Sequence, residues 1–214
     1  MDSEQAPLDI AVADLGIRWE ILETGVTVKL YPSCAATHPP LDALIDLLRR
    51  ERFTADQVHA IDVEVDSMTP GLLIHPDPAT GLEAKFSMPF CAAAAVVYQR
   101  LSIDTFDEAH IQNPAIRSLM PRVALRANEA FDRAAPLSRA AVTVHLRDGR
   151  VLSQSADGAR GYPNRLTDEE LATKFFGCAS RTLTQPAASA AWAALITLDS
   201  MADVRELTGI LSTQ

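Results

Sequence analysis

Lys29, Tyr31, Ser33, Cys34 and His38 fall within one short stretch, Lys-Leu-Tyr-Pro-Ser-Cys-Ala-Ala-Thr-His-Pro. A cation, a phenol, a hydroxyl, a thiol and an imidazole are thus strung along a single connection. Pro32 cannot donate to a sheet ladder, so it closes the strand-like run over 26–30. Thr37 reads as a helix cap, with Pro39 or Pro40 tolerated in the first turn. Residues 33–38 then form a loop that empties onto a helix N-terminus, where free backbone N–H groups and the positive dipole end favour an anion. Together with Lys29, this place suits a carboxylate. Cys34, beside Lys29 and a helix start, is the kind of thiol whose pKa falls. His38 is held neutral by the same dipole, able to donate a hydrogen bond or take a proton. The plainer alternative is a polar turn in which Cys34 is a small buried hydrophobe. Lys29, Cys34 and His38 are the catalytic candidates. Tyr31 and Ser33 join them as substrate-binding candidates, with His75 in a proline-rich loop and Lys85 further along.

Several elements must position these groups. Residues 1–25 read as a lead-in, in which 10–15 is the end of a helix closed by Gly16. Trp19, Ile21 and Leu22 are apolar enough to dock on something. From Leu41 the apolar residues fall at 41, 44, 45, 47 and 48, which is helical spacing, with Asp42, Asp46, Arg49, Arg50 and Glu51 largely on the other side. Residues 58–65 alternate, Ile61, Val63 and Val65 against Asp62, Glu64 and Asp66, as a half-buried strand does. A Pro/Gly-rich loop over 69–80 follows, then a small-residue helix over 82–100 in which Pro89 implies a kink or a late start. Asn113-Pro114 caps a short helix to 119, and 122–126 reads as a strand. Residues 140–146 alternate again, and Asp148-Gly149 before 151–154 is a hairpin signal. His59 and His145 fall on solvent faces of strands, with structural roles. After a loop over 158–165, Thr167 and Glu170 make a capping box for a helix through Leu171, Phe175 and Phe176. Two more helices cover 187–198 and 202–211. Trp192, Leu195, Ile196 and Leu198 nearly encircle the first of these two, which therefore wants cover on several sides.

Composition sets the outer limits. With 48% hydrophobic and 22% charged residues over 214 positions, the chain is that of a globular protein. A formal charge of -9 argues against nucleic acid or an anionic membrane as the main partner. Three widely spaced cysteines give neither a disulfide framework nor a metal pair. With no signal peptide at 1–7 and no apolar run of membrane-spanning length, the expectation is a reduced, cytoplasmic, soluble protein. The histidines at 38, 59, 75, 110 and 145 are scattered, without a His-x-x-x-His or Cys-x-x-Cys pattern, so no metal is expected. A G-x-S-x-G elbow, a P-loop and a G-x-G-x-x-G turn are absent too, so no cofactor is expected.

The stretch Lys29 to Cys34, then Thr37-His38-Pro39, Glu83-Ala-Lys-Phe-Ser-Met-Pro-Phe90, Gly161-Tyr-Pro-Asn164, Leu166-Thr-Asp-Glu-Glu170 and Lys174-Phe175 form an ordered set. In order and rough spacing, over nearly the whole chain, the set resembles the MmgE/PrpD family. The family includes 2-methylcitrate dehydratase, cis-aconitate decarboxylase and iminodisuccinate epimerase. The resemblance implies proton transfer next to a carboxylate of a small di- or tricarboxylate, by chemistry similar to metal-free acid–base catalysis. It implies a large helical domain paired with a smaller α+β lid, the active site between them, and a chain here that is similar to the C-terminal half alone. By that likeness Lys29 matches a lysine that lies at the substrate. Cys34 falls where the decarboxylase branch has a functional histidine, a departure from that branch.

The expected architecture is therefore α+β: a lead-in over 1–25, a small mixed or antiparallel sheet with packed helices over 26–157, and C-terminal helices over 158–214. Expected partners are a small carboxylate and either a homo-oligomer or a second body that supplies the helical half. On this expectation the chain alone is inactive. A second reading makes it a non-catalytic interaction module whose apolar tail faces (Phe175, Phe176, Trp192, Ile196) drive assembly.

Overall fold

In the computed structural model, which describes residues 12–134 and 138–212, the stripe that begins at Leu41 forms helix α1, His38–Glu51. Leu41, Leu44, Ile45, Leu47 and Leu48 are all buried. Each such side chain contributes roughly 2 kcal/mol by leaving water. The helix ends at Arg52, whose left-handed backbone lets its N–H reach Leu48 O at 3.0 Å.

Strand β1, Val58–Val65, follows and puts Ile61, Val63 and Val65 inward. The long crossover from β1 holds the His75 loop, a single helical turn at Gly81–Ala84, helix α2, Met88–Tyr98, and helix α3, Pro114–Leu119. Pro89 sits in the first turn of α2, where its missing N–H costs nothing. Of the two outcomes expected over 82–100, the late start is the one found. Ser87 caps it, accepting from Phe90 N. Ala92 to Ala95 are fully buried, and these small side chains let α2 lie close to α1 and to the strand that follows.

That strand is β2, Val123–Ala127, parallel to β1 as a crossover connection requires. Strands β3, Ala140–Leu146, and β4, Val151–Ala156, form the hairpin expected at Asp148-Gly149, where Gly149 has a φ of +90°. The sheet order is β2-β1-β3-β4, mixed in direction, with α1 and α2 on one face. Thr143, His145 and Asp62 lie on the other face, where Asp62 meets His145 at 3.0 Å and Arg126 at 3.4 Å. This is an α+β arrangement.

Two sequence expectations change. The run over 26–30 is extended but joins no ladder; its tie is Val28 N–H to Gly161 O at 2.8 Å. A Cβ on Gly161 would stand 1.8 Å from Val28 O, so that approach needs a glycine. Of the helix end read at 10–15, residues 10 and 11 lie outside the described residues, Val12 is helical, and 13–17 are turns.

Helices α4, Asp168–Ala179, α5, Gln185–Leu195, and α6, Arg205–Ser212, complete the chain. The Thr167–Glu170 capping box is formed. Phe175, Phe176 and Trp192 pack as an aromatic trio with centroids 5.3 to 6.0 Å apart.

Candidate functional site

The loop ahead of α1 is drawn together by its own side chains. Lys29 Nζ donates to Ser33 O at 3.2 Å. Ser33 Oγ and Thr37 Oγ1 are 2.7 Å apart, and Thr37 Oγ1 donates to Cys34 O at 2.8 Å. Thr37 therefore stands at the cap position but bonds backwards into the loop, not to the helix. The expected free N–H groups are mostly spent. Thr37 N–H donates to Cys34 O, His38 N–H to Ala35 O and Cys34 N–H to Lys85 O, while Pro39 and Pro40 have none. Positive potential here rests on the Lys29 ammonium and the helix dipole.

Tyr31 turns inward. Its hydroxyl donates to Asp42 Oδ1 at 2.7 Å, and its ring meets the His38 ring edge-on at 5.1 Å. Burial, then the neighbouring carboxylate, push the phenol far above its ordinary value. His38 is 3% exposed and its Nε2 has no hydrogen-bond partner. Its pKa is pushed down to about 4, first by burial and further by Lys29 and Lys174; nearby Ser33 and Tyr31 carbonyls pull the other way. Burial thus favours the neutral imidazole, with desolvation as the leading cause in place of the dipole.

Backbone bonds lay two more candidates alongside. Cys34 N–H on Lys85 O, at 2.9 Å, joins the loop to the turn that carries Lys85. His75 N–H to Phe86 O, at 3.4 Å, brings the His75 loop to the same turn. The Lys85 ammonium lies 6.0 Å from the Phe106 ring centroid. Lys29 is exposed and Cys34 half-buried, whereas Ser33 and His38 are enclosed.

Sequence reasoning missed a polar centre. Asp42, read as the outward side of its helix, is 4% exposed. Besides Tyr31 it takes the Arg160 backbone N–H at 2.7 Å, and burial raises its carboxyl pKa. The Arg160 guanidinium reaches Asp46 at 2.7 Å and Glu170 at 3.0 Å, tying α1 to α4. No helical spacing marks Asp42, because its partners Tyr31 and Arg160 lie 11 and 118 residues away. Among the described residues, no group of three or more His, Cys, Asp or Glu side chains is placed to hold a metal ion. No described helix is long and apolar enough to cross a membrane.

Residues 31–199 match the family model of the MmgE/PrpD C-terminal domain. The chain is 26% identical over 214 residues to the cis-aconitate decarboxylase-like protein oryM of Aspergillus oryzae, covering 96% of this chain and 44% of that protein. It is 23% identical to the cis-aconitate decarboxylase of Mus musculus, covering 96% of this chain and 43% of the relative. For the Homo sapiens cis-aconitate decarboxylase the identity is 23%, with 90% and 41% covered. The chain thus spans less than half the length of the curated relatives it matches. It belongs to the MmgE/PrpD family.

Proposed function

We propose that this chain forms the carboxylate-binding lid of a lyase or isomerase that acts on a small di- or tricarboxylate of the cis-aconitate or 2-methylcitrate kind. The observation that carries the reading is the exposed Lys29 ammonium, braced on Ser33 O in a loop whose side chains are otherwise bonded to one another. A charge held in that way needs little reorganisation when an anion arrives or when enolate-like charge builds beside a carboxylate. Lys29 binds the carboxylate and stabilises that charge. Cys34, half-buried at the same loop, is the group that exchanges a proton with the substrate. His38, enclosed and neutral, backs the loop by packing on Tyr31 and helps relay the proton from it.

Lys29 and Cys34 form part of a site. The exposed apolar side chains at Ile17, Trp19, Leu22, Ile196 and Val204 support a second body that covers them, either a helical half like that of the relatives or another copy of the chain. Complete catalysis requires every group in register, so these residues alone should turn over neither substrate.

The test is to assay cis-aconitate decarboxylation and 2-methylcitrate dehydration with the purified chain, alone and mixed with a polypeptide covering the helical half of a relative. Activity is expected in the mixture alone, and Lys29→Ala should lower it by about 100-fold or more. Robust turnover by the isolated chain, or full activity of Lys29→Ala in the mixture, would overturn the reading. The same exposed faces favour one alternative, an assembly module without chemistry. Light scattering that shows a stable oligomer, with no turnover in any mixture, would select it.

A further inference from the structure

The three cysteines are free thiols in three settings: Cys178 exposed on α4, Cys34 half-buried on the loop ahead of α1, and Cys91 fully buried in α2. Cys91 has no part in binding or proton transfer at the lid. Far apart in the chain, Cys34 and Cys91 are brought to one turn by its two successive carbonyls. Ala84 O accepts from the Cys91 thiol at 3.5 Å, and Lys85 O accepts from the Cys34 N–H at 2.9 Å. The Ser33 hydroxyl, next to Cys34 in the chain, also bonds to the Cys91 thiol, and a charge on Cys34 acts on it. Cys34 packs against the buried cluster that holds Cys91. A thiol that solvent can reach is thus set beside one that solvent cannot. Redox-active pairs rely on that division, with an open sulfur to meet the oxidant and a second sulfur at hand to trap the product.

We propose that Cys34 and Cys91 are a peroxide-responsive pair that closes into a disulfide, Cys34 reacting first and Cys91 resolving it. In the first step the Cys34 sulfur attacks one oxygen of hydrogen peroxide and the O–O bond breaks. Cys34 becomes a sulfenic acid, and the other oxygen leaves as water. In the second step the Cys91 sulfur attacks the Cys34 sulfur. The S–S bond forms, the S–O bond breaks, and the oxygen departs as water with the Cys91 proton. Two thiols and one peroxide give one disulfide and two waters. Burial, before any other cause, pushes the Cys91 thiol well up, so it stays protonated and resolves slowly. The sulfenic acid at Cys34 therefore forms faster than it is trapped. The new bond ties the loop over 29–38 to the first turn of α2 and closes a long stretch of chain, which restricts the unfolded state. The pairing stands whether or not Lys29 meets a carboxylate.

The experiment treats the full chain with equimolar hydrogen peroxide, blocks the remaining thiols with iodoacetamide in urea, and maps the unreduced tryptic peptides by mass spectrometry. The expected result is a monomer that has lost two of its three thiols, with the peptide after Lys29 linked to the peptide after Lys85 and Cys178 still alkylated. Dithiothreitol should restore all three thiols. The linked chain should unfold at higher urea than the reduced chain. Cys34→Ser should form no link and leave Cys91 alkylated. Cys91→Ala should stop at the sulfenic acid, which dimedone captures at Cys34 in higher yield than in the unaltered chain. Cys178→Ser should form the link as before. Cys34→Ser changes a half-buried loop position, so it keeps the test decisive if truncation inside α2 prevents folding. The proposal is overturned if peroxide leaves both thiols free, if Cys34 is oxidised while Cys91 stays alkylated throughout the time course, if the link joins Cys178 or two chains, or if Cys34→Ser still consumes the Cys91 thiol.

Discussion

The sheet body and the three C-terminal helices are built from similar residues and held in different ways. Ten of the fourteen residues of α1 and eight of the eleven of α2 are buried. In the tail, α4 has none, α5 has Ala188 and Ala191, and α6 has Leu207. Leu195, Ile196, Leu198, Val204 and Leu211 stand out in solvent. Hydrophobic burial is the dominant favourable term in folding, so the body supplies most of the stability and the tail adds little of its own. The tail helices persist through local devices: the Thr167–Glu170 box, the Thr184 cap on α5 and the trio of aromatic rings. One part is folded by its own core. The other leaves most of its large apolar side chains open to solvent.

The sharpest way to break this contrast is a matched pair of truncations. Leu44→Ala empties a site with no exposure, and Leu195→Ala removes a side chain that is 36% exposed. In urea unfolding, the first should cost about 3 kcal/mol and the second well under about 1 kcal/mol. Equal losses would mean that the tail is as tightly packed as the body.

The next largest effect is a pH dependence that belongs to the body. His38 has a folded pKa of about 4 against an ordinary 6.5. Above 6.5 both states are neutral and the residue has no influence. Between 6.5 and 4 the unfolded chain binds a proton that the folded protein refuses, so stability falls as pH falls. The loss is complete below the folded value and amounts to up to about 3 kcal/mol. Asp42, whose carboxyl is raised by burial, opposes it at the acid end, because the folded protein takes that proton before the unfolded chain does. Replacing the imidazole by a group that cannot titrate, as in His38→Asn, should flatten the urea midpoint between about pH 6.5 and about pH 4.5. An unaltered slope in that variant would assign the dependence to other groups.

How much of this was legible in the sequence follows the distance over which each contact acts. The α1 stripe, the capping box and the Asp148-Gly149 hairpin are set within a few residues, and each is found where its pattern falls. The loop from Lys29 to His38 was legible as a cluster for the same reason. The run over 26–30 misled because its apolar residues alternate like a strand, while β2 and β4 are the edges of the sheet and neither accepts it. Gly161, which receives Val28 instead, was quoted as part of a motif without the steric reason for it. Asp42 looked like the solvent side of an amphipathic helix, and Tyr31 together with the later loop at Arg160 makes that side interior.

The smallest expected effect tests where the two parts join. Arg160 Nη2 meets Asp46 and Nη1 meets Glu170, with side-chain exposures of 22% for the arginine, 40% for Asp46 and 26% for Glu170. Partly wetted pairs of this kind contribute modestly, so Arg160→Ala should lower global stability by about 1 kcal/mol. The substitution leaves the Asp42 bond in place, because that bond comes from the backbone N–H of residue 160. It also leaves the Thr167 cap on α4, because Glu170 reaches Thr167 independently of the arginine. What is lost is the tie between α1 and α4, and the readout that isolates it is local. Amide exchange in α4 should quicken while exchange in α1 and β3 stays at the rate of global opening. A double-mutant cycle with Glu170→Gln then gives the coupling across the junction. If α4 exchange is unchanged and the coupling is nil, the tail is held by its aromatic trio alone, and the guanidinium serves only the loop on which it sits.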